Sequence, residues 1–228
     1  MDKSRTELLL GEKALKVLEN SSVIVVGVGG VGGITAEMLV RTGVGNITLI
    51  DFDTISSSNI NRQVIALEEN VGKVKVLELA KRLKEINNPV NVVPINEKLT
   101  NENISKLITK VDYIIDAIDS VKDKASLIEY AHINNTRIIS AMGTANKVCA
   151  PVYEIADIFK TENDGLAKAM RKLLKEKGIK HHKVCYSKQE KLNVEGLGSV
   201  MWHPTASACV IVSEVIKDLI KESNLWKF

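Results

Sequence analysis

Short apolar runs, each closed by a turn residue, alternate along this chain with stretches whose apolar positions recur every three to four residues. The runs at 22–27 (SVIVVG), 46–51 (NITLID), 90–95 (VNVVPI), 111–117 (VDYIIDA) and 136–142 (TRIISAM) read as five strands. Between them a helical pattern follows the glycines at 27–33, residues 76–86 place Val76, Leu79, Ala80 and Leu83 on one helix face, and 121–135 reads as a further crossover helix. That alternation predicts an α/β fold: a Rossmann-like, mostly parallel sheet with helices on both faces. After residue 150 the rhythm changes. Residues 150–157 read as a strand and 165–178 as an amphipathic helix ended by Gly178. Residues 183–200 are mixed, with Gly196 and Gly198 suggesting a loop. A last helix over 205–222 carries Ala208, Ile211, Val212, Val215, Ile216 and Leu219 at helical spacing. The expectation is one domain over 1–228, with a nucleotide-binding core at 12–150 and a C-terminal elaboration, 151–228, packed on the same core.

Composition adds limits. With 45% hydrophobic and 26% charged residues the chain has the balance of an ordinary globular protein. No apolar run is long enough for a membrane span, and residues 1–16 lack a signal-peptide core, so a cytoplasmic location is expected. The three cysteines, Cys149, Cys185 and Cys209, share no C-x-x-C spacing, which argues against a disulfide framework or a cysteine zinc site. The net charge of +3 is unevenly spread. Residues 168–191 hold nine Lys or Arg against two Glu, a basic patch suited to a polyanion.

The chemistry starts at residues 25–39, VVGVGGVGGITAEML. Gly27, Gly29 and Gly32 satisfy G-x-G-x-x-G between a strand and a helix, and Gly30 adds a fourth glycine. Such a loop brings backbone and a helix N-terminus against a phosphate chain. Asp51 ends the second strand 19 residues after Gly32, where a carboxylate can accept ribose hydroxyls. The fingerprint alone favours NAD; the residues after Asp51 favour ATP. Ser58, Asn59, Asn61 and Arg62 lie just beyond the second strand, and Lys75 comes one turn into a helix. Arg62 and Lys75 supply cations for a transferring phosphorus, and Asp119, at the carboxyl end of the fourth strand, supplies a carboxylate for Mg²⁺. Taken singly, each could be an ordinary surface ion pair.

The ordered set GVGGVG, LIDFDTIS, SNINRQ, VGKVK and DAIDS resembles the ubiquitin-activating-enzyme-like superfamily, whose members ThiF and MoeB adenylate sulfur-carrier proteins. The resemblance implies phosphate binding at Gly29, Gly30 and Gly32 and ribose binding at Asp51. It implies ATP contacts from Ser58, Asn59, Arg62 and Lys75, and Mg²⁺ on Asp119. Ser120 replaces the usual Asn after that aspartate. Arg5 matches an arginine that reaches ATP across a homodimer. The zinc cysteines of ThiF and MoeB are missing here. RTELLLGEKAL (5–15), IIDAIDSV (114–121) and EIADIFKTENDGLAKAMRKLLKEKGI (154–179) resemble instead the tRNA threonylcarbamoyladenosine dehydratases. That likeness implies ATP-dependent cyclisation of threonylcarbamoyladenosine at position 37 of tRNA, and leaves room for a sulfur-relay protein partner.

On that reading the threonyl carboxylate attacks the α-phosphorus, and the neighbouring carbamoyl group then displaces AMP and closes a five-membered ring. Proximity within one molecule makes an enzyme nucleophile unnecessary, so Cys185 reads as a buried strand cysteine. His181 and His182 read as part of the basic surface, and His203 has no assigned role. Lys168, Arg171, Lys172 and Lys175 form a cationic stripe opposite Leu166, Ala169, Met170, Leu173 and Leu174, continued by Lys180 and Lys183, for the tRNA backbone. Three alternatives stay open: an adenylyltransferase for a carrier protein, an NAD-dependent oxidoreductase, and a non-catalytic nucleotide-gated RNA-binding module.

Overall fold

The computed structural model describes residues 1–221. Seven strands form one sheet: β1 (Ser22–Val26), β2 (Asn46–Ile50), β3 (Asn91–Ile95), β4 (Tyr113–Asp116), β5 (Ile138–Ala141), β6 (Glu154–Asp157) and β7 (Lys183–Tyr186), in the order β3-β2-β1-β4-β5-β7-β6. Every pairing is parallel except β6 with β7. The five expected strands are therefore present. The mixed segment after 183, by contrast, begins with a strand: β7 inserts between β5 and β6. Four residues are too few to show a period, and Val184, Cys185 and Tyr186 are all buried, so no alternation marks them.

Two apolar layers sandwich the sheet. On one face Val23, Val25, Leu49 and Ile115 meet α2 (Glu12–Asn20), α3 (Gly32–Thr42), α4 (Lys75–Ile86) and α8 (Trp202–Ile220). On the other, Ile24, Val26, Ile114 and Val184 meet α5 (Ile104–Leu107), α6 (Val121–Ile133) and α7 (Gly165–Glu176). Adjacent residues of β1 thus serve opposite layers, which is why the parallel strands read as unbroken apolar runs. The segment after 150 shares both cores through α7, α8 and β7. Its two strands join the same sheet. The final helix starts at Trp202 rather than 205, so His203 and Pro204 belong to its first turn; the expected end at 222 lies outside the described residues.

One short helix stands apart. α1 (Ser4–Leu10) buries no residue, and Leu8 and Leu9 are 89% and 83% exposed.

Strand order fixes where a ligand belongs. From β1 the chain moves to β2 and β3 on one side, then crosses back so that β4 pairs with the other side of β1. The loops after β1 and β4 leave the carboxyl edge side by side, and such a switch point opens a crevice.

Candidate nucleotide-binding site

The glycines divide by job. A Cβ on Gly32 would stand 1.8 Å from the Gly27 carbonyl oxygen, and one on Gly27, at φ +84°, 2.7 Å from that of Ala117. These two permit the turn itself and press it against the β4 turn. Gly29 has open surroundings, with Gln63 Nε2 3.8 Å from a built Cβ, whereas a Cβ on Gly30 would press on Pro204 at 3.3 Å. The missing side chain at Gly29 lets backbone approach a ligand, and the one at Gly30 lets α8 pack on the loop. Among the described residues the amides of Gly29, Gly30 and Val31 make no backbone hydrogen bond, so they are free for an anion at the start of α3.

Asp51 ends β2 and braces this loop. Its Oδ2 accepts the Val28 amide (2.7 Å) and its Oδ1 the Asp53 amide (2.8 Å), leaving lone pairs on a half-buried carboxylate beside the turn. Lys75 begins α4 and is 5% exposed; its Nζ pairs at 2.8 Å with Asp53, whose side chain is half exposed. Asp53 lies within the LIDFDTIS motif, but spacing alone did not mark its ion pair.

Residues 57–63 fold over the loop's outer side. Asn59 is buried and its Oδ1 accepts the Ser56 amide (3.1 Å), so its side chain caps its own turn. Ser58 is exposed, its hydroxyl 2.8 Å from that of Ser56. Arg62 donates from Nη1 to the Ser58 carbonyl (2.7 Å) and to Asn61 Oδ1 (2.9 Å), and its Cγ lies 3.7 Å from a Cβ built on Gly30. Gln63 carries no signal in the sequence beyond its place in SNINRQ. It is buried, and its Oε1 has no partner among the described residues.

Asp119 follows β4, exposed and with no hydrogen bond or ion pair among the described residues. Its neighbour Asp116 is fully buried; it takes Lys124 Nζ (2.8 Å), Ser140 Oγ (2.6 Å) and the Ile118 amide (3.1 Å). Nothing in the residue pattern marks that network. It continues from Ser140 to His182 Nε2 (2.8 Å) and on to His132 (3.4 Å). Glycine loop, Asp51, Arg62 and the Asp119 turn thus share one edge. Arg5 does not join them within one chain: it lies exposed on α1 without a partner among the described residues.

Farther out, several expected surface residues are corrected. His182 is 3% exposed, and burial beside His132 and Lys124 drives its pKa to about 3. It belongs to the core. Lys183 pairs with Glu214 and Asp218 at 2.7 Å each, so it does not extend the stripe. On α7 the buried residues are Ala167, Met170 and Leu174, while Ala169 is exposed; the buried face is rotated from the expected one. Lys168, Lys172 and Lys175 remain exposed, but Arg171 sits at the border, donating to the Thr161 carbonyl (2.9 Å) and hydroxyl. Cys185 is a buried neutral thiol: burial lifts its pKa to about 12, well above that of a reactive cysteine.

The fold and loop define a nucleotide-binding α/β protein of the switch-point kind, with an exposed carboxylate and two cationic side chains near its edge. The particular family follows from comparison. The ThiF family matches residues 3–225, and the chain belongs to it. It is 40% identical over 171 residues to the tRNA threonylcarbamoyladenosine dehydratase of Escherichia coli K12, covering 75% of this chain and 64% of the relative. To the Bacillus subtilis protein of the same name it is 41% identical, covering 78% and 70%. The crystal structure of the E. coli dehydratase with ATP superposes with a TM-score of 0.93 at 32% identity, covering 97% of this chain and 95% of that one. The same protein has been solved with AMP, at a TM-score of 0.92. The chain thus spans just under two thirds of the E. coli relative in the sequence match.

Proposed function

We propose that this protein uses ATP to dehydrate threonylcarbamoyladenosine in tRNA, at position 37, by way of an adenylated carboxylate. The observation that carries the reading is the free amide row at Gly29–Val31 beside an unpartnered Asp119, in a chain so similar to dehydratases solved with ATP and AMP.

The roles follow from position. The glycine amides and α3 hold the phosphates, and Asp51 receives the ribose. Arg62 and Lys75, released from their carbonyl and Asp53 partners, neutralise charge as the pentacoordinate phosphorus forms. Asp119 would hold Mg²⁺: an exposed carboxylate free of protein partners among the described residues suits an ion that needs only one or two protein ligands. Bound there, the ion would offset charge on the departing pyrophosphate. The substrate carboxylate then becomes an acyl-adenylate, AMP is a good leaving group, and the carbamoyl group closes the ring while one proton leaves it. No protein nucleophile is consumed, which agrees with the inert Cys185.

A homodimer completes the site on this reading. α1 carries Arg5 and exposes Leu8 and Leu9, a terminal helix with an unburied apolar side. Lys168, Lys172 and Lys175 meet the tRNA backbone. A sulfur-relay protein remains a proposed partner, and the cytoplasm the proposed compartment; no described helix is long and apolar enough to cross a membrane. A carrier-protein adenylyltransferase shares every ATP residue, so the acceptor decides. Incubating the protein with ATP, Mg²⁺ and tRNA bearing threonylcarbamoyladenosine, followed by nucleoside mass analysis, should show loss of one water. No mass change, with ATP bound, would reject the dehydratase reading.

A further inference from the structure

Three lysines are buried among the described residues, and two of them have a carboxylate. Lys75 pairs with Asp53 and Lys124 with Asp116, each at 2.8 Å. The third, Lys147, is 2% exposed and has no such partner. Its Nζ donates to the Ser187 carbonyl (2.8 Å) and stands 5.9 Å from the centre of the Tyr153 ring. The acidic group that acts on it from farther away, Asp164, spends its oxygens on the Gly143 amide (2.9 Å) and on capping α7 at Ala167 (3.0 Å). Burial holds the Lys147 pKa below the usual lysine range, and Lys191 adds to that. Asp164 offsets part of the Lys147 charge from a distance, but an ammonium buried without a carboxylate in contact leaves hydrogen-bonding capacity and charge that an anion from outside can meet.

Its position says which anion. Lys147 follows β5 and Ser187 follows β7, two parallel strands, so the ammonium lies at the carboxyl edge of the sheet with the glycine loop. The first turn of α8 spans the gap. His203 Nδ1 is 3.3 Å from the Tyr153 hydroxyl, and burial and Lys147 together depress the His203 pKa. One residue on, Pro204 lies 3.3 Å from a Cβ built on Gly30. Thr205 Oγ1 is buried there without a partner, and His203 Nε2 makes no hydrogen bond although the ring also feels the Cys149 backbone; Gln63 Oε1 is the third buried atom without a hydrogen bond among the described residues. Buried polar groups are seldom left unpaired. Two of these three atoms belong to residues on either side of Pro204, which packs on Gly30, and the third to Gln63, which packs on Gly29.

We propose that Lys147, with His203 and Thr205 at the head of α8, forms the subsite for the carboxylate that is to be adenylated. It rests on the dehydratase reading and deepens it. Lys147 holds one carboxylate oxygen and leaves the other toward the glycine loop; that oxygen bonds to the α-phosphorus as pyrophosphate departs with the electrons of the broken P–O bond. A salt-bridged carboxylate is then recognised as such, and an ester of it is not.

The whole protein serves for the test, with free threonylcarbamoyladenosine and its methyl ester as competing probes in the tRNA assay. Wild type should favour the acid over the ester by about tenfold or more, the worth of a hydrogen bond to a charged group. Lys147→Met, close in length and apolar, should erase that preference and raise KM for modified tRNA by a similar factor, with ATP affinity unchanged. Lys147→Arg, which keeps the charge, should retain part of the preference. Equal binding of acid and ester by wild type overturns the subsite even if the methionine variant does not fold. So does an unaltered preference in a folded Lys147→Met. If wild type makes no dehydrated nucleoside at all, the dehydratase reading falls, and the subsite with it.

Discussion

Asp116 and Asp119 stand three residues apart in one turn, and the protein treats them as opposites. The inner region around Asp116 is closed. Its carboxylate is fully buried and takes Lys124, Ser140 and the Ile118 amide. Because Ser140 gives its proton to that carboxylate, it accepts from His182 Nε2–H, which leaves His182 Nδ1 to accept from His132. Every donor in the chain points inward to one charge. The outer region is open: Asp119 has no partner among the described residues, Lys75 holds an aspartate half in water, and Arg62 rests on a carbonyl and an amide oxygen. Anchoring a turn from within lets its outward carboxylate stay free. Fold and candidate site thus hold different charges, and the two carboxylates are only three residues apart.

The sharpest way to break this division is to remove a partner on each side. Lys124→Met strands Asp116 in the core, and losing one member of a buried pair costs about 3–5 kcal/mol of stability. Urea unfolding should show it as a lower midpoint. An effect no larger than that of a surface change would mean that the inner charges do not hold the turn. Asp119→Ala should do the reverse. Its stability should stay within about 0.5 kcal/mol of wild type, as for surface sites. Turnover at saturating Mg²⁺ should fall by about 10²–10³, the scale of losing one electrostatic stabiliser. Activity near wild type would remove Asp119 from the chemistry.

Much of the outer region was legible because its residues must sit at fixed intervals from strand ends. A glycine turn after β1, a carboxylate at the end of β2 and another after β4 all follow once the strands are seen, and long apolar runs reveal those. The inner region left no trace in the sequence. Ser140, Lys124 and His182 come from β5, α6 and the approach to β7, and nothing in their spacing says they meet. A strand around Cys185 could be read, but not its bounds or its place between β5 and β6, and with that the burial of His182 was missed. Lys183 and Arg171 read as free cations because a one-dimensional stripe cannot show that Asp218, Glu214 and Thr161 come round to meet them.

A milder strain on the inner region is acid. The His182 pKa falls from its ordinary value near 6.5 to about 3 on folding, because burial penalises the imidazolium. Below pH 6.5 the unfolded chain therefore binds a proton that the folded chain refuses. Stability should decline as pH drops from 6.5 toward 3, by at most about 1.4 kcal/mol per unit for this ring. His182→Gln keeps an amide donor for Ser140 without a titrating group. Its stability curve should be flatter than that of wild type between pH 6.5 and 4.5, above the range where carboxylates dominate. Parallel curves for the two proteins would place the titrating group elsewhere.

The smallest effect is expected where both regions are far away. On α7 the buried face is Ala167, Met170 and Leu174, so Lys168, Lys172 and Lys175 point outward together. Arg171, tied to Thr161, is left out of this set. A solvated cationic face is the common fate of such residues, and it would be invisible to tRNA. If they instead lie on the phosphate backbone, each lysine–phosphate pair releases counterions on binding, and affinity then depends steeply on salt. Changing the three to Ala should leave ATP binding and unfolding unchanged. The log–log salt slope of tRNA binding should drop by roughly 0.7–0.9 for each phosphate no longer neutralised, without altering which nucleotide is modified. Arg171→Ala should cost stability first, since it unties α7 from the turn before it. An unchanged slope in the triple variant would return α7 to ordinary surface and move the tRNA track to another face.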